Sequence, residues 1–227
     1  MRLGLVVNPD AGLGGKLGFK GSDGRAAEAR AAGAEDRAGP RMAQCLSHLF
    51  TLVASSLNRT NVRLELVVWE GRMGGAWVPE LDADSPVSVR SVGSTPSTTT
   101  PEDTTRLVGD LLESGVEAIV YAGGDGTTRD IVNALEAAGT EAKKTAVIGV
   151  PGGVKMHSGC FATTPKAAAE VVLSFAIGDL RTAITEVMDL DETVYAKGEW
   201  KVRMYGEAWT PSCLLYTSDA ADELSCV

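Results

Sequence analysis

Tyr121-Ala122-Gly123-Gly124-Asp125-Gly126-Thr127 decides how this 227-residue chain is read. The run in front of it, Val116–Ala122, is apolar, and Ala118-Ile119-Val120 reads as a strand buried on both faces. The run behind it, Thr127–Ala138, places Ile131, Val132 and Leu135 at helical spacing. A glycine-rich turn from a buried strand into a helix lies at the edge where parallel α/β sheets bind ligands. Glycines there let the backbone approach a phosphate closely, and the helix dipole favours an anion. An acid amid such a turn is costly unless it orients a hydroxyl, accepts its proton, or holds Mg²⁺. Read alone, the stretch also fits a plain turn. It lacks the Gly-Lys-Ser/Thr of a Walker loop and the spacing of a dinucleotide G-x-G-x-x-G turn.

Outward from this point, strands and helices alternate, which predicts an α/β domain with a mostly parallel sheet. Strands are expected at Leu3–Val7, Arg63–Trp69, Val87–Val92 and Ala146–Val150. Helices are expected at Ala26–Ala38, ended by Pro40, and at Met42–Leu57 and Pro165–Ile177. Thr100-Pro101-Glu102-Asp103 starts another: a capping hydroxyl, proline at the first turn, then acids at the positive end of the dipole. After Gly178 the texture turns β-rich, over Thr182–Leu190 and Lys201–Trp209. A boundary is therefore placed near 178, with 1–178 as an α/β domain and 179–212 as the truncated start of a second domain. Arg129 and Asp130 read as a surface pair, and Glu186, Asp189 and Asp191 as a solvated acidic turn.

Residues 213–227 break the style of the chain. Cys213-Leu214-Leu215-Tyr216-Thr217-Ser218-Asp219-Ala220-Ala221-Asp222-Glu223 resembles a translated transposase-end sequencing adapter. This tail is read as artefactual and left out of fold reasoning, and the chain is read as a fragment.

Composition bounds the function. At 44% hydrophobic and 22% charged the chain reads as globular, and no apolar run is long enough for a membrane span. The first apolar run, Leu3–Val7, is too short for a signal-peptide core, so a cytoplasmic location is expected. A net charge of −9 argues against nucleic acid as a partner, while a small phosphorylated ligand remains compatible. Four cysteines without C-x-x-C spacing and two histidines suggest neither a disulfide framework nor a zinc site, and no metal ligand is assigned.

Several stretches together resemble the NAD kinase and diacylglycerol kinase superfamily. Gly123–Thr127 matches its GGDGT signature, continued by Thr128-Arg129-Asp130-Ile131. Asn8-Pro9-Asp10-Ala11-Gly12-Leu13-Gly14-Gly15, with Lys20-Gly21-Ser22-Asp23-Gly24, resembles the N-terminal loop of one branch, the ATP-NAD kinases related to acetoin-catabolism protein X. Gly149-Val150-Pro151-Gly152-Gly153-Val154-Lys155-Met156-His157-Ser158 resembles its second loop, with Gly152 standing where the family pattern has Ala. Glu186–Glu192 and Arg203–Gly206 resemble its β-rich continuation.

The resemblance implies an NAD kinase-like N-terminal domain, a parallel-rich sheet flanked by helices, followed by the start of an all-β domain. It implies phosphoryl transfer from ATP or polyphosphate, with Mg²⁺, to the 2′-hydroxyl of NAD. Asp125 would orient or deprotonate that hydroxyl. Gly123, Gly124, Gly126 and Thr127 would cradle phosphates, with Asn8 on the same sheet edge. In the second loop, Gly153 permits close approach, and Lys155 is either a cation for phosphate or a solvated lysine. His157 is a capping or polar-contact histidine, Ser158 a polar contact, and Asp23 a turn residue or a ligand contact. Small-molecule nucleotides are the expected partners, and a homo-oligomer is expected of the full-length protein. Two alternatives stay open: a lipid or other small-alcohol kinase of the superfamily, and a non-catalytic NAD- or nucleotide-binding regulatory protein.

Overall fold

The computed structural model describes residues 1–13, 26–152, 156–190 and 201–212. Five strands form one parallel sheet: β1 (Arg2–Val7), β2 (Leu64–Glu70), β3 (Val87–Ser94), β4 (Ala118–Gly123) and β5 (Ala146–Pro151). Their order is β3-β2-β1-β4-β5. β4 and β5 are buried at every position, as their unbroken apolar runs require.

Alternation sorts the side chains onto two faces. Leu3, Leu5, Val7, Val120 and Ile148 pack on one side with α2 (Ala38–Thr60) and α5 (Pro165–Ala176). Val6, Ile119, Tyr121 and Val147 pack on the other with α3 (Pro101–Glu113) and α4 (Asp125–Ala137). A short helix, α1 (Ala26–Ala31), precedes α2. Helix starts follow local chemistry. The Thr100 amide donates to Asp103 Oδ2 at 2.8 Å, and Thr164 Oγ1 accepts from the Ala167 amide at 3.1 Å. Burial works against the charge of Asp103, but Arg106 and Thr100 together hold its carboxyl below the usual range.

β6 (Arg181–Leu190) and β7 (Val202–Ser212) form an antiparallel ribbon. It folds back onto the α/β body. Val187 and Ala208 are buried in the same cluster as α4, and Thr210 Oγ1 donates to the Val147 carbonyl at 2.8 Å. Among the described residues no helix is long and apolar enough to cross a membrane.

Three local expectations change. Pro40 does not end a helix before α2. It sits in the first turn of α2, where its missing N–H costs nothing, and α1 stops earlier, at Ala31. α4 begins at Asp125, not Thr127, with Gly124 as its cap. Asp189 belongs to no solvated turn: it lies in β6 and pairs with Arg129 at 3.1 Å. The expected loops over 14–25, 153–155 and 191–200, and the tail 213–227, lie outside the described residues.

Candidate functional site at the switch between β1 and β4

The sheet order reverses direction at β1. The chain moves outward to β2 and β3, then returns to the other side of β1 for β4 and β5. The crevice beyond the C-terminal ends of β1 and β4 is therefore the switch point of the sheet. Asn8 leaves β1 there, and Gly123–Thr127 leave β4 there.

These segments are bonded together. The Asn8 amide donates to the Ala122 carbonyl at 2.9 Å, and Asn8 Nδ2 donates to Thr127 Oγ1 at 2.9 Å. The Gly152 amide, leaving β5, donates to the Gly123 carbonyl at 3.0 Å. Gly123 admits no side chain: an added Cβ would stand 2.5 Å from Thr127 Cβ. Gly124 and Gly126 differ. Among the described residues a Cβ on either would meet nothing within 4 Å, so as far as these residues go the space over the start of α4 is open.

Asp125 is buried, with 6% of its surface exposed. Its carboxylate clamps the loop that follows β5. Oδ2 accepts from the His157 amide at 2.8 Å. Oδ1 accepts from the Ser158 amide at 2.9 Å and faces Ser158 Oγ at 2.7 Å. His157 thus reaches Asp125 through its backbone, while its side chain is exposed. Ser158 is buried and carries the clamp onward. Its Oγ accepts from the Met188 amide and lies 3.0 Å from the Met188 carbonyl. The Gly159 amide donates to the Glu186 carbonyl at 3.0 Å. Arg129, one turn along α4, pairs with Asp189 and stacks 5.3 Å from the Tyr205 ring. β6 and β7 are thereby fastened to the helix that carries Asp125.

Beside Asn8 opens a cleft of about 260 Å³, lined by Asp10, Met73, Thr99, Thr104 and Asp130 among others. The Asp10 amide donates to Asn8 Oδ1 at 3.0 Å, and its carboxylate accepts from Thr99 Oγ1 at 3.2 Å and pairs with Arg30 at 2.7 Å. Sequence reasoning saw the Thr-rich stretch before α3 only as a helix start. The signal that could have found this wall is its place after β3, on the same edge as Asn8. Of the expected site residues, Asn8, Gly123, Gly124, Asp125, Gly126, Thr127, His157 and Ser158 are brought together; Asp23, Gly153 and Lys155 lie outside the described residues.

The model of the ATP-NAD kinase N-terminal domain matches residues 3–179. The chain belongs to the ATP-NAD kinase family. No curated protein matches it. Among solved structures, this family member is similar to the "Crystal structure of a putative diacylglycerol kinase from Bacillus anthracis str. Sterne", at 16% identity and a TM-score of 0.40. That similarity covers 83% of this chain and 45% of the other, so the chain spans less than half of that protein's length.

The two described cysteines of this kinase-family chain are free and buried. Burial pushes the Cys45 thiol up to about 12 and the Cys160 thiol up to about 11. Thiolate is the nucleophile, so both should resist iodoacetamide at pH 8 in the native protein and label after denaturation. Peptide mapping by mass spectrometry checks this; rapid native labelling of Cys160 would contradict the packing around it.

Proposed function

We propose that this protein is an NAD kinase, moving the terminal phosphoryl group of ATP or polyphosphate to the 2′-hydroxyl of NAD. The observation that carries the reading is the placement of Asp125. In a chain of this family, a buried carboxylate stands in the first turn of α4 at the switch point of the sheet, below two glycines with open space above them. Donor phosphates fit that space, because the first amides of α4 and its dipole favour an anion. Asn8 and Thr127 border it.

The acceptor oxygen bonds to the terminal phosphorus, and the bridging P–O bond to the leaving ADP, or to the polyphosphate shortened by one unit, breaks. The hydroxyl proton passes to Asp125. Among the described residues Oδ1 meets two donors and Oδ2 one, so Oδ2 keeps a lone pair for a hydroxyl. Phosphoryl transfer asks chiefly for positioning and charge neutralisation: the clamped carboxylate serves the first for the acceptor hydroxyl, and the positive end of α4 contributes to the second. No three His, Cys, Asp or Glu side chains stand together as a metal site among the described residues. Mg²⁺ would enter with the donor and would supply neutralisation of phosphate charge.

The test is formation of NADP from NAD, ATP and Mg²⁺, followed by enzymatic cycling, with polyphosphate and a diacylglycerol as parallel substrates. NADP formation is expected. Tight NAD binding without NADP would overturn the reading in favour of a binding protein, and phosphorylation of the diacylglycerol alone in favour of a lipid kinase.

A further inference from the structure

Beneath the Asp125 clamp lies a chain of polar groups that the phosphoryl transfer itself does not use. Tyr121, in β4, is fully buried. Its hydroxyl stands 2.6 Å from Thr128 Oγ1 and 3.1 Å from Cys160 Sγ. Thr128 Oγ1 in turn donates to the Gly124 carbonyl at 3.2 Å. One proton per group sets a consistent direction: Cys160 donates to Tyr121, Tyr121 to Thr128, and Thr128 to Gly124. The space for this hydroxyl is kept by Gly149, where an added Cβ would stand 2.9 Å from it and 2.5 Å from the Phe161 ring. The Phe161 ring packs against Tyr121 at 5.4 Å.

The chain joins the two halves of the clamp. At one end is Gly124, whose peptide leads directly into Asp125. At the other is Cys160, two residues beyond Ser158. We propose that the Tyr121 hydroxyl is a positioning group that holds the start of α4 and the His157–Ser158 loop in register, so that the Asp125 carboxylate meets both amides. Its bearing on turnover rests on the kinase reading above; its action on the clamp does not.

Amide hydrogen exchange, followed residue by residue by NMR on the whole chain, tests it without an activity assay. Tyr121→Phe removes one oxygen and leaves the ring packed. It is expected to speed exchange at the His157 and Ser158 amides about tenfold or more, with Leu5 and Val7 in β1 unchanged. Thr128→Val, which cuts the same chain from α4, should do the same, and Thr128→Ser should behave as wild type. If Tyr121→Phe does not fold, the two Thr128 variants carry the test. Unchanged exchange at His157 and Ser158, or an equal rise at all amides, would overturn the proposal. Failure to make NADP would leave the exchange result standing and refute only the kinase reading.

Discussion

Asp125→Asn should abolish phosphoryl transfer, lowering kcat by about 100-fold or more, while nucleotide binding persists. The substitution keeps size and shape but changes hydrogen-bond sense. The carboxylate meets three donors on two oxygens. An asparagine has one oxygen, so its NH₂ must face a donor. With the oxygen toward Ser158, the NH₂ meets the His157 amide; with the amide flipped, it meets Ser158. Either way a donor of the clamp goes unpaired, the buried Ser158 amide at a cost of about 1–3 kcal/mol and the half-buried His157 amide at less. The acceptor hydroxyl also loses the group that takes its proton. A clamp without chemistry would lose binding and turnover together, so the informative measurement is kcat beside the Kd for nucleotide. Full turnover in the variant would remove Asp125 from the reaction.

Gly123→Ala should destabilise the fold by about 1–3 kcal/mol, the usual cost of overpacking, and weaken nucleotide binding. The new methyl would lie 2.5 Å from both Cβ and Oγ1 of Thr127. Cβ is fixed to the backbone, so no rotamer change relieves the contact; the end of β4 and the first turn of α4 must part. Parting them breaks the bond from Asn8 Nδ2 to Thr127. Gly126→Ala is the contrast. Its methyl meets nothing within 4 Å among the described residues, and alanine in a helix is favoured over glycine by up to about 1 kcal/mol. That variant should therefore unfold no earlier in urea yet lose turnover, because the methyl enters the space assigned to phosphate. Equal stability of Gly123→Ala and wild type would show that the close packing of β4 on α4 is not needed.

Strands β1, β4 and β5 were legible as short apolar runs between turn residues, β2 and β3 by alternation, and Ala118–Val120 carries burial on both faces in its composition. Asn8 and Gly123–Thr127 were legible as edge residues because both follow strands directly. The partner of Asp125 was not. His157 and Ser158 lie more than thirty residues downstream, and nothing local marks a backbone amide as a partner. Arg129 illustrates the same limit. Its sequence neighbour Asp130 suggested a surface pair, whereas the fold gives it Asp189 from β6. The starts of α3 and α5 were read where they stand, whereas α4 begins two residues before the expected Thr127, because glycines 124 and 126 have low helix propensity and hid its first turn.

The bond between Ser158 and the Met188 backbone sets an order in time. A chain emerging from the ribosome presents β1 to β5 first, and the parallel sheet has all its strands once residue 151 is out. His157 and Ser158 follow, and their amides can reach Asp125. The hydroxyl that steadies this contact has no backbone to hold until β6 has been made. One of the contacts that fix the carboxylate is therefore supplied by a strand synthesised well after the sheet.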